Sequence, residues 1–150
     1  MKKELLMLVA ILITLGFVAA EKAKIKGSIS VSERPIRDID VSLKKMPAGE
    51  IVQTQKTDQK GVFFFENIDP GSYQIEIKGV TVNASSDEIK GRISKDKTLR
   101  ANLEVLLMND IGQLITTTTS DAKGEFFFSN IDAGNYTIYI NTGELSESGF

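Results

Sequence analysis

The side chains of this sequence that could do chemistry are acids and amides, because the chain contains neither histidine nor cysteine. Those two residues supply the usual general base, the thiol nucleophile and most zinc ligands, so their absence disfavours catalysis and zinc binding. The acids and amides that recur in similar surroundings are Asp58, Asn67 and Asp69, and again Asp121, Asn130 and Asp132. Their oxygen atoms suit calcium, but they do not alternate as in an EF-hand loop and each Asp lies where a turn favours it. We therefore predict turns here, with no metal and no cofactor.

Two Asn residues match the acceptor pattern for N-glycosylation. They are Asn83, which precedes Ala and Ser, and Asn135, which precedes Tyr and Thr. Modification at either residue depends on a host that has the glycosylation machinery, and Asn83 is predicted to be the more accessible. The sequence carries no Walker, HExxH or GxSxG motif, and we predict that the protein is not an enzyme.

An internal repeat sets the organisation of the elements that must position these residues. Residues 57–77 return as residues 120–140, identical at 13 of 21 positions and displaced by 63. Residues 25–27, Ile-Lys-Gly, return as residues 89–91 with a displacement of 64. The repeat predicts two copies of one module of about 60 residues.

Within each copy, apolar and polar residues alternate, which is typical of half-buried strands. The predicted strands cover 24–31, 39–45, 50–57, 62–66 and 72–82, and then 88–93, 100–108, 112–119, 125–129 and 135–142. Gly, Asp, Asn and Pro collect between them, and beyond the leader no segment shows a sustained helical period. The predicted fold is all-β: two tandem small β-sandwich modules of Greek-key type after a signal peptide.

The first 20 residues resemble a secretory leader. A basic start is followed by sixteen uncharged residues, 5–20, which close on Val-Ala-Ala. This pattern predicts a signal peptide cleaved after Ala20, and the alternative is an uncleaved anchor, although the apolar run falls short of the roughly 20 residues that span a bilayer. The predicted division of the chain is a signal peptide over 1–20, modules over 21–83 and 84–143, and a C-terminal tail over 144–150.

Exposed aromatic residues are the candidate binding sites. Strand alternation places Phe63 and Phe65 towards the core and Phe64 on the opposite face, and the second copy repeats this pattern with Phe127. A solvent-facing ring can bind a protein partner or stack on a sugar, unless a neighbouring module or loop covers it. Tyr139 is a third candidate platform.

Both copies share a pattern of Gly, then Thr-Asp-x-x-Gly-x-Phe-x-Phe, then Ile and Gly-x-Tyr, except that Ser120 replaces the Thr in the second copy. The matching residues are Gly27, Thr57, Asp58, Gly61, Phe63, Phe65, Ile68, Gly71 and Tyr73, and Gly91, Asp121, Gly124, Phe126, Phe128, Ile131, Gly134 and Tyr136. On these residues the chain resembles the carboxypeptidase regulatory-like family, whose modules share a transthyretin-like, or prealbumin-like, β-sandwich. The resemblance covers most of residues 23–142. It implies that fold and an accessory, adhesive or structural role.

The charge balance limits the choice of partners. Residues 21–83 carry ten Lys and Arg against nine Asp and Glu, and residues 84–150 carry six against ten. Neither half is basic enough to suggest nucleic acid. The sequence therefore predicts a secreted, periplasmic or cell-surface structural or adhesive protein that contacts other envelope or surface proteins, including further copies of itself. The alternative is a carbohydrate-binding accessory module whose partner is a glycan. No membrane contact is expected after signal cleavage.

Overall fold

Alternating sequence patterns become strands throughout the structure, a computed structural model that describes residues 22–83, 88–96 and 98–145. The predicted leader lies outside the described residues. The strands are β1 (Ala23–Val31), β2 (Arg34–Pro35), β3 (Asp40–Lys45), β4 (Glu50–Lys56), β5 (Val62–Ile68), β6 (Gly71–Val82), β7 (Ile89–Lys95), β8 (Thr98–Leu99), β9 (Glu104–Asn109), β10 (Leu114–Thr119), β11 (Glu125–Phe128) and β12 (Gly134–Leu145). Within these ranges the chain forms no helix long and apolar enough to cross a membrane.

The all-β prediction is confirmed, although several strand bounds differ from the predicted ones. The two-residue strands β2 and β8 were not predicted. The strand predicted from residue 100 begins only at Glu104, because Asn102 adopts a left-handed backbone with φ 63° that interrupts an extended chain. At the other end, β12 continues to Leu145, which is buried and pairs with Gly71, so the first two residues of the predicted tail belong to a strand. The rest of that tail, 146–150, lies outside the described residues.

Two sheets form the sandwich, and each contains strands from both copies of the repeat. In sheet 1, β1 pairs with β5 and β2 on one side and with β7 on the other, and β7 continues to β11 and β8. In sheet 2 the order is β10-β9-β12-β6-β3-β4. The copies are therefore joined twice, by the antiparallel pairs β1–β7 and β6–β12.

Equivalent residues of the two copies face each other at both junctions. Ser28 is opposite Arg92, 64 residues later, and Glu76 is opposite Tyr139, 63 residues later. The displacement changes because residues 46–56, which form the β3–β4 connection and β4, are one more than the equivalent residues 110–119. An antiparallel pair in which equivalent residues face each other has a local two-fold axis, so the copies lie side by side around a pseudo-dyad. The division at residues 83 and 84 stays a prediction.

The core lies between the sheets and is continuous across both copies. As predicted, Phe63 and Phe65 point inwards with ring centroids 5.9 Å apart, and Phe126 and Phe128 do the same at 6.3 Å. The largest fully buried side chains are Phe63, Phe65, Phe126, Ile25, Ile29, Leu43, Ile75, Ile77, Ile89, Ile93, Leu107 and Ile138. Since these residues come from both halves, hydrophobic burial holds the copies together as well as holding each one folded.

The recurring acids and amides shape turns, as predicted. In the β4–β5 hairpin, Asp58 Oδ1 accepts the backbone N–H groups of Lys60 and Val62 at 2.8 and 2.9 Å. Asp121 repeats this arrangement with Lys123 and Glu125 at 2.8 and 3.0 Å.

The turn after β5 uses the other members of the set. Asn67 and Asn130 have left-handed backbones with φ 58° and 57°. The carbonyls of Asp69 and Asp132 each accept a hydrogen bond from the tyrosine hydroxyl four residues later, at 2.7 Å in both copies.

Candidate binding face

The outer surface of sheet 1 carries both predicted phenylalanines. Phe64 on β5 is 40% exposed and Phe127 on β11 is 56% exposed, so the described part of the chain covers neither ring. Their exposure follows from alternation, since the neighbouring residues of each strand point into the core. We call this surface, with the two phenylalanines and the outward side chains of β1 and β7 between them, the Phe–Lys face.

Each exposed phenylalanine has a lysine directly opposite it on the neighbouring strand. Phe64 pairs with Lys26 of β1, and Phe127 pairs with Lys90 of β7. The rings are three strand spacings apart across the sheet and four residues apart along it, which places them about 20 Å from each other. The face thus presents two matched aromatic and cationic pairs related by the pseudo-dyad.

A shallow depression of about 350 Å³ lies between the strands on this face. Its lining residues are Lys26, Gly27, Ser28, Val62, Arg92 and Ser94. The Arg92 side chain is held in place because its Nε donates to the carbonyl of Lys123 at 3.2 Å. The depression lies above β1 and β7, where the side chains of Ser28 and Ser94 are small. Lys26 and Arg92 lie at its border.

Charge on the Phe–Lys face is arranged with cations inside and acids outside. Lys26, Lys90 and Arg92 belong to the central strands, whereas Glu66 and Glu125 belong to the flanking strands β5 and β11. Lys90 Nζ lies 3.8 Å from a carboxylate oxygen of Glu125, a contact too exposed to hold the lysine strongly. A partner surface that is acidic and partly apolar would be complementary to these two aromatic rings and the cations between them.

Tyr139 does not share this face. It lies half-buried on the outer surface of sheet 2, where its hydroxyl hydrogen-bonds to Glu76 and its ring lies 5.7 Å from Lys44 Nζ. Burial and this bond raise the pKa of the tyrosine above its ordinary value. The structure therefore separates Tyr139 from the two phenylalanines with which the sequence pattern grouped it.

The buried carboxylate of Glu76 is the feature that sequence reasoning missed. Its side chain is only 4% exposed, with Lys44 Nζ at 2.9 Å and Lys78 Nζ at 3.6 Å. Burial alone would raise the pKa of Glu76, but the bonds to Lys44 and Tyr139 outweigh it and hold the pKa below the ordinary 4.5. No local pattern signals this group, because its members come from β3, β6 and β12.

The two glycosylation candidates are both exposed. Asn83 follows the last residue of β6, and Asn135 lies on β12, where its Oδ1 accepts a hydrogen bond from the Thr81 hydroxyl at 2.8 Å. Modification of either residue stays a prediction.

A family model described as "BOS complex subunit NOMO1-like, second beta sandwich domain" matches residues 15–105 of this chain. The chain belongs to this family. The NOMO1-like match runs from before β1 into the start of β9, so it includes strands from both copies of the repeat and both central strands of the Phe–Lys face.

Beyond the NOMO1-like family, the chain is similar to bacterial proteins at low identity. It is 23% identical to the bone sialoprotein-binding protein of Staphylococcus aureus (strain MRSA252), over 90% of this chain and 16% of that protein. It is 24% identical to the serine-aspartate repeat-containing protein F of Staphylococcus epidermidis (strain ATCC 12228 / FDA PCI 1200), over 75% of this chain and 10% of that protein. The chain thus corresponds to a small part of each relative.

Among solved structures, the chain is similar to the BSP domain of a biofilm associated protein, with 14% identity and a TM-score of 0.33. The match covers 87% of this chain and 26% of that one. It is also similar to Escherichia coli alpha-2-macroglobulin spanning domains NIE-MG1, with 14% identity, a TM-score of 0.32, and coverage of 69% and 83%. TM-scores this low support no inference about function.

Proposed function

We propose that this chain is a secreted or cell-envelope structural or adhesive protein that works by binding other proteins through its Phe–Lys face. The observation that carries the proposal is the pair of exposed phenylalanines at equivalent positions, each beside a lysine. Exposing two large aromatic rings to water is unfavourable, and Phe is among the residues enriched at protein interfaces relative to the rest of the surface.

The relatives give this proposal some support. The staphylococcal bone sialoprotein-binding protein is named for a protein ligand, and the chain resembles a segment of it. We further propose that the chain is non-enzymatic and consists of a cleaved leader and two tandem modules, 21–83 and 84–143, of the carboxypeptidase regulatory-like kind. That arrangement would place the face outside the cytoplasm.

The test uses cells of the organism that produces this protein, after deletion of the gene that encodes it. It measures how much fluorescently labelled protein binds to those cells. We expect saturable binding that falls about tenfold or more in the double variant Phe64→Ser/Phe127→Ser, since a combined loss of about 1.4 kcal/mol from the two rings already gives that change. The matched control is Val52→Ser, which removes a side chain of similar exposure, 43%, from the edge of sheet 2. Equal binding by all three proteins would rule out the Phe–Lys face as the binding surface.

Pretreatment of the same cells distinguishes the two classes of partner. A glycan remains the alternative, because four of the residues that line the depression, Lys26, Ser28, Arg92 and Ser94, carry polar groups that could bind sugar hydroxyls. Protease treatment of the cells should abolish binding if the partner is a protein. Loss of binding after periodate oxidation of the cell glycans, with protease having no effect, would instead support the carbohydrate-binding function.

A further inference from the structure

Among the residues that the structure describes, sheet 2 ends in two edge strands, β4 and β10. Every residue of β4 and β10 is exposed or half-buried. The outer edge of such a strand presents N–H and C=O groups that no strand of the same sheet satisfies, which makes it a template for pairing with another chain. The two edges occupy equivalent places around the pseudo-dyad, so their sequences can be compared position by position.

The β4 edge carries features that discourage pairing. It begins with Glu50 and ends with Lys56, whose Nζ lies 2.8 Å from Asp40. Gln53 Nε2 donates to the carbonyl of Glu66 at 2.7 Å and thereby ties β4 to the adjacent β5. Charges on an edge strand are a common protection against unwanted association.

The β10 edge has none of these features. Its sequence, Leu-Ile-Thr-Thr-Thr-Thr, contains no charge, proline or glycine, and Thr116 stands where β4 has Gln53. Leu114 and Ile115 are 53% and 46% exposed, and Ile111 in the preceding turn is 74% exposed. Uncharged strands rich in β-branched residues are those that pair most readily with another strand.

We propose that β10 is a self-association edge, at which two copies of this chain pair through antiparallel β10 strands to make one sheet of twelve strands. The chain already uses this geometry internally, since the equivalent strands β6 and β12 pair antiparallel around a dyad. A two-fold axis between the β10 strands of two chains brings no like charges together. Threonines that lie opposite one another can then hydrogen-bond across the two strands. The partner that we propose is a second copy, since β10 carries no charge that would oppose an identical strand.

The proposed contact closes on itself. A two-fold interface uses the same patch on both partners, so the assembly stops at a dimer. The edges left at the two ends of the twelve-stranded sheet are the β4 edges. Their charged residues and the Gln53–Glu66 hydrogen bond discourage the addition of further chains. This contact is separate from the Phe–Lys face, which lies on the other sheet.

The test is the mass of the chain, as recovered from the cells that express it, measured by light scattering behind size exclusion over a hundredfold range of concentration. We expect a concentration-dependent dimer and no larger species. The variant Thr117→Lys should be monomeric, because Thr117 is exposed on β10 and a two-fold contact sets its lysine near the lysine of the partner. The matched control is Thr54→Lys at the equivalent position of β4, which should leave the dimer intact.

A charge-complementation experiment distinguishes a variant that has lost the dimer contact from one that has lost its fold. Thr117→Lys and Thr117→Glu should each be monomeric alone and should form a heterodimer when mixed. A wild-type chain that stays monomeric at every concentration would overturn the proposal. So would a dimer that Thr54→Lys disrupts as strongly as Thr117→Lys, since that result indicates a head-to-tail contact between β4 and β10. The double variant Phe64→Ser/Phe127→Ser should keep the dimer, so the two proposals can fail independently.

Discussion

At the scale of single residues, two glycines on the central strands of sheet 1 make room for the largest side chains of the core. Gly27 lies opposite Phe63, and a Cβ atom added there would come within 2.7 Å of ring atom Cε2 of Phe63 and 2.8 Å of Ile93 Cδ1. A Cβ at Gly91 would meet the Phe126 ring and lie 2.8 Å from the carbonyl oxygen of Ser28. Because both rings are buried, they cannot move aside without disturbing the core.

We therefore expect Gly27→Ala and Gly91→Ala each to lower the free energy of unfolding by about 1–3 kcal/mol, as overpacked cores do. Urea denaturation measures the loss. Gly134→Ala is the control, since a Cβ there would make only ordinary contacts, the nearest at 3.5 Å to Tyr136. Similar losses at all three glycines would show that packing against the rings is not the cause.

At the scale of elements, the hairpin turns β4–β5 and β10–β11 link stability to pH through Asp58 and Asp121. Backbone N–H donors, of Val62 for the first and of Glu125 for the second, hold the pKa of each carboxyl below the ordinary 3.8. Since the pKa is lower in the folded than in the unfolded chain, the ionised carboxylate stabilises the fold above about pH 4. That contribution is lost as pH falls through the lowered folded value.

The double variant Asp58→Asn/Asp121→Asn should accordingly lose less stability on acidification than the wild type does. Asn keeps an oxygen acceptor for the turn but cannot titrate. Urea midpoints at pH 6, 4.5 and 3 measure the difference, and the two proteins should approach each other at the lowest pH. Parallel curves for wild type and variant would mean that other groups control the acid response.

At the scale of the whole molecule, the shared sheets and core should make the two halves fold as one unit. The β1–β7 and β6–β12 pairs place strands of each half against the other, and the buried cluster is continuous across them. We expect a single calorimetric transition whose calorimetric and van't Hoff enthalpies agree. Phe65→Ala in the first half and Phe128→Ala in the second should each shift the whole transition downwards, with a loss of about 3–5 kcal/mol.

A two-step profile in which each substitution moved only one step would contradict this expectation. It would show instead that residues 21–83 and 84–143 are independent domains. The test thus also decides whether the predicted module boundary is a boundary of stability.

Several local features could be predicted because short-range physics determines them. Strand alternation alone puts Phe63 inside and Phe64 outside, and an Asp three residues before a Gly is sufficient to predict the turn at Asp58. The ends of strands were less predictable where the backbone angle of one residue decides whether the strand continues. The left-handed φ of Asn102, which precedes β9, is an example. The group around Glu76 could not be predicted, since its lysine and tyrosine partners are 32 and 63 residues away along the chain.

The sequence by itself determined the repeat, the all-β class, the inward phenylalanines and the turns, all of which depend on residues close together in the chain. Only the tertiary structure decided that the copies share both sheets, that Tyr139 is separated from Phe64 and Phe127, and that β10 is an open edge. The physical reason is that strand pairing between distant segments depends on which edges remain unpaired and which apolar faces remain uncovered once each copy has folded. Alternation of residue types along one strand carries no information about the strand that will lie beside it.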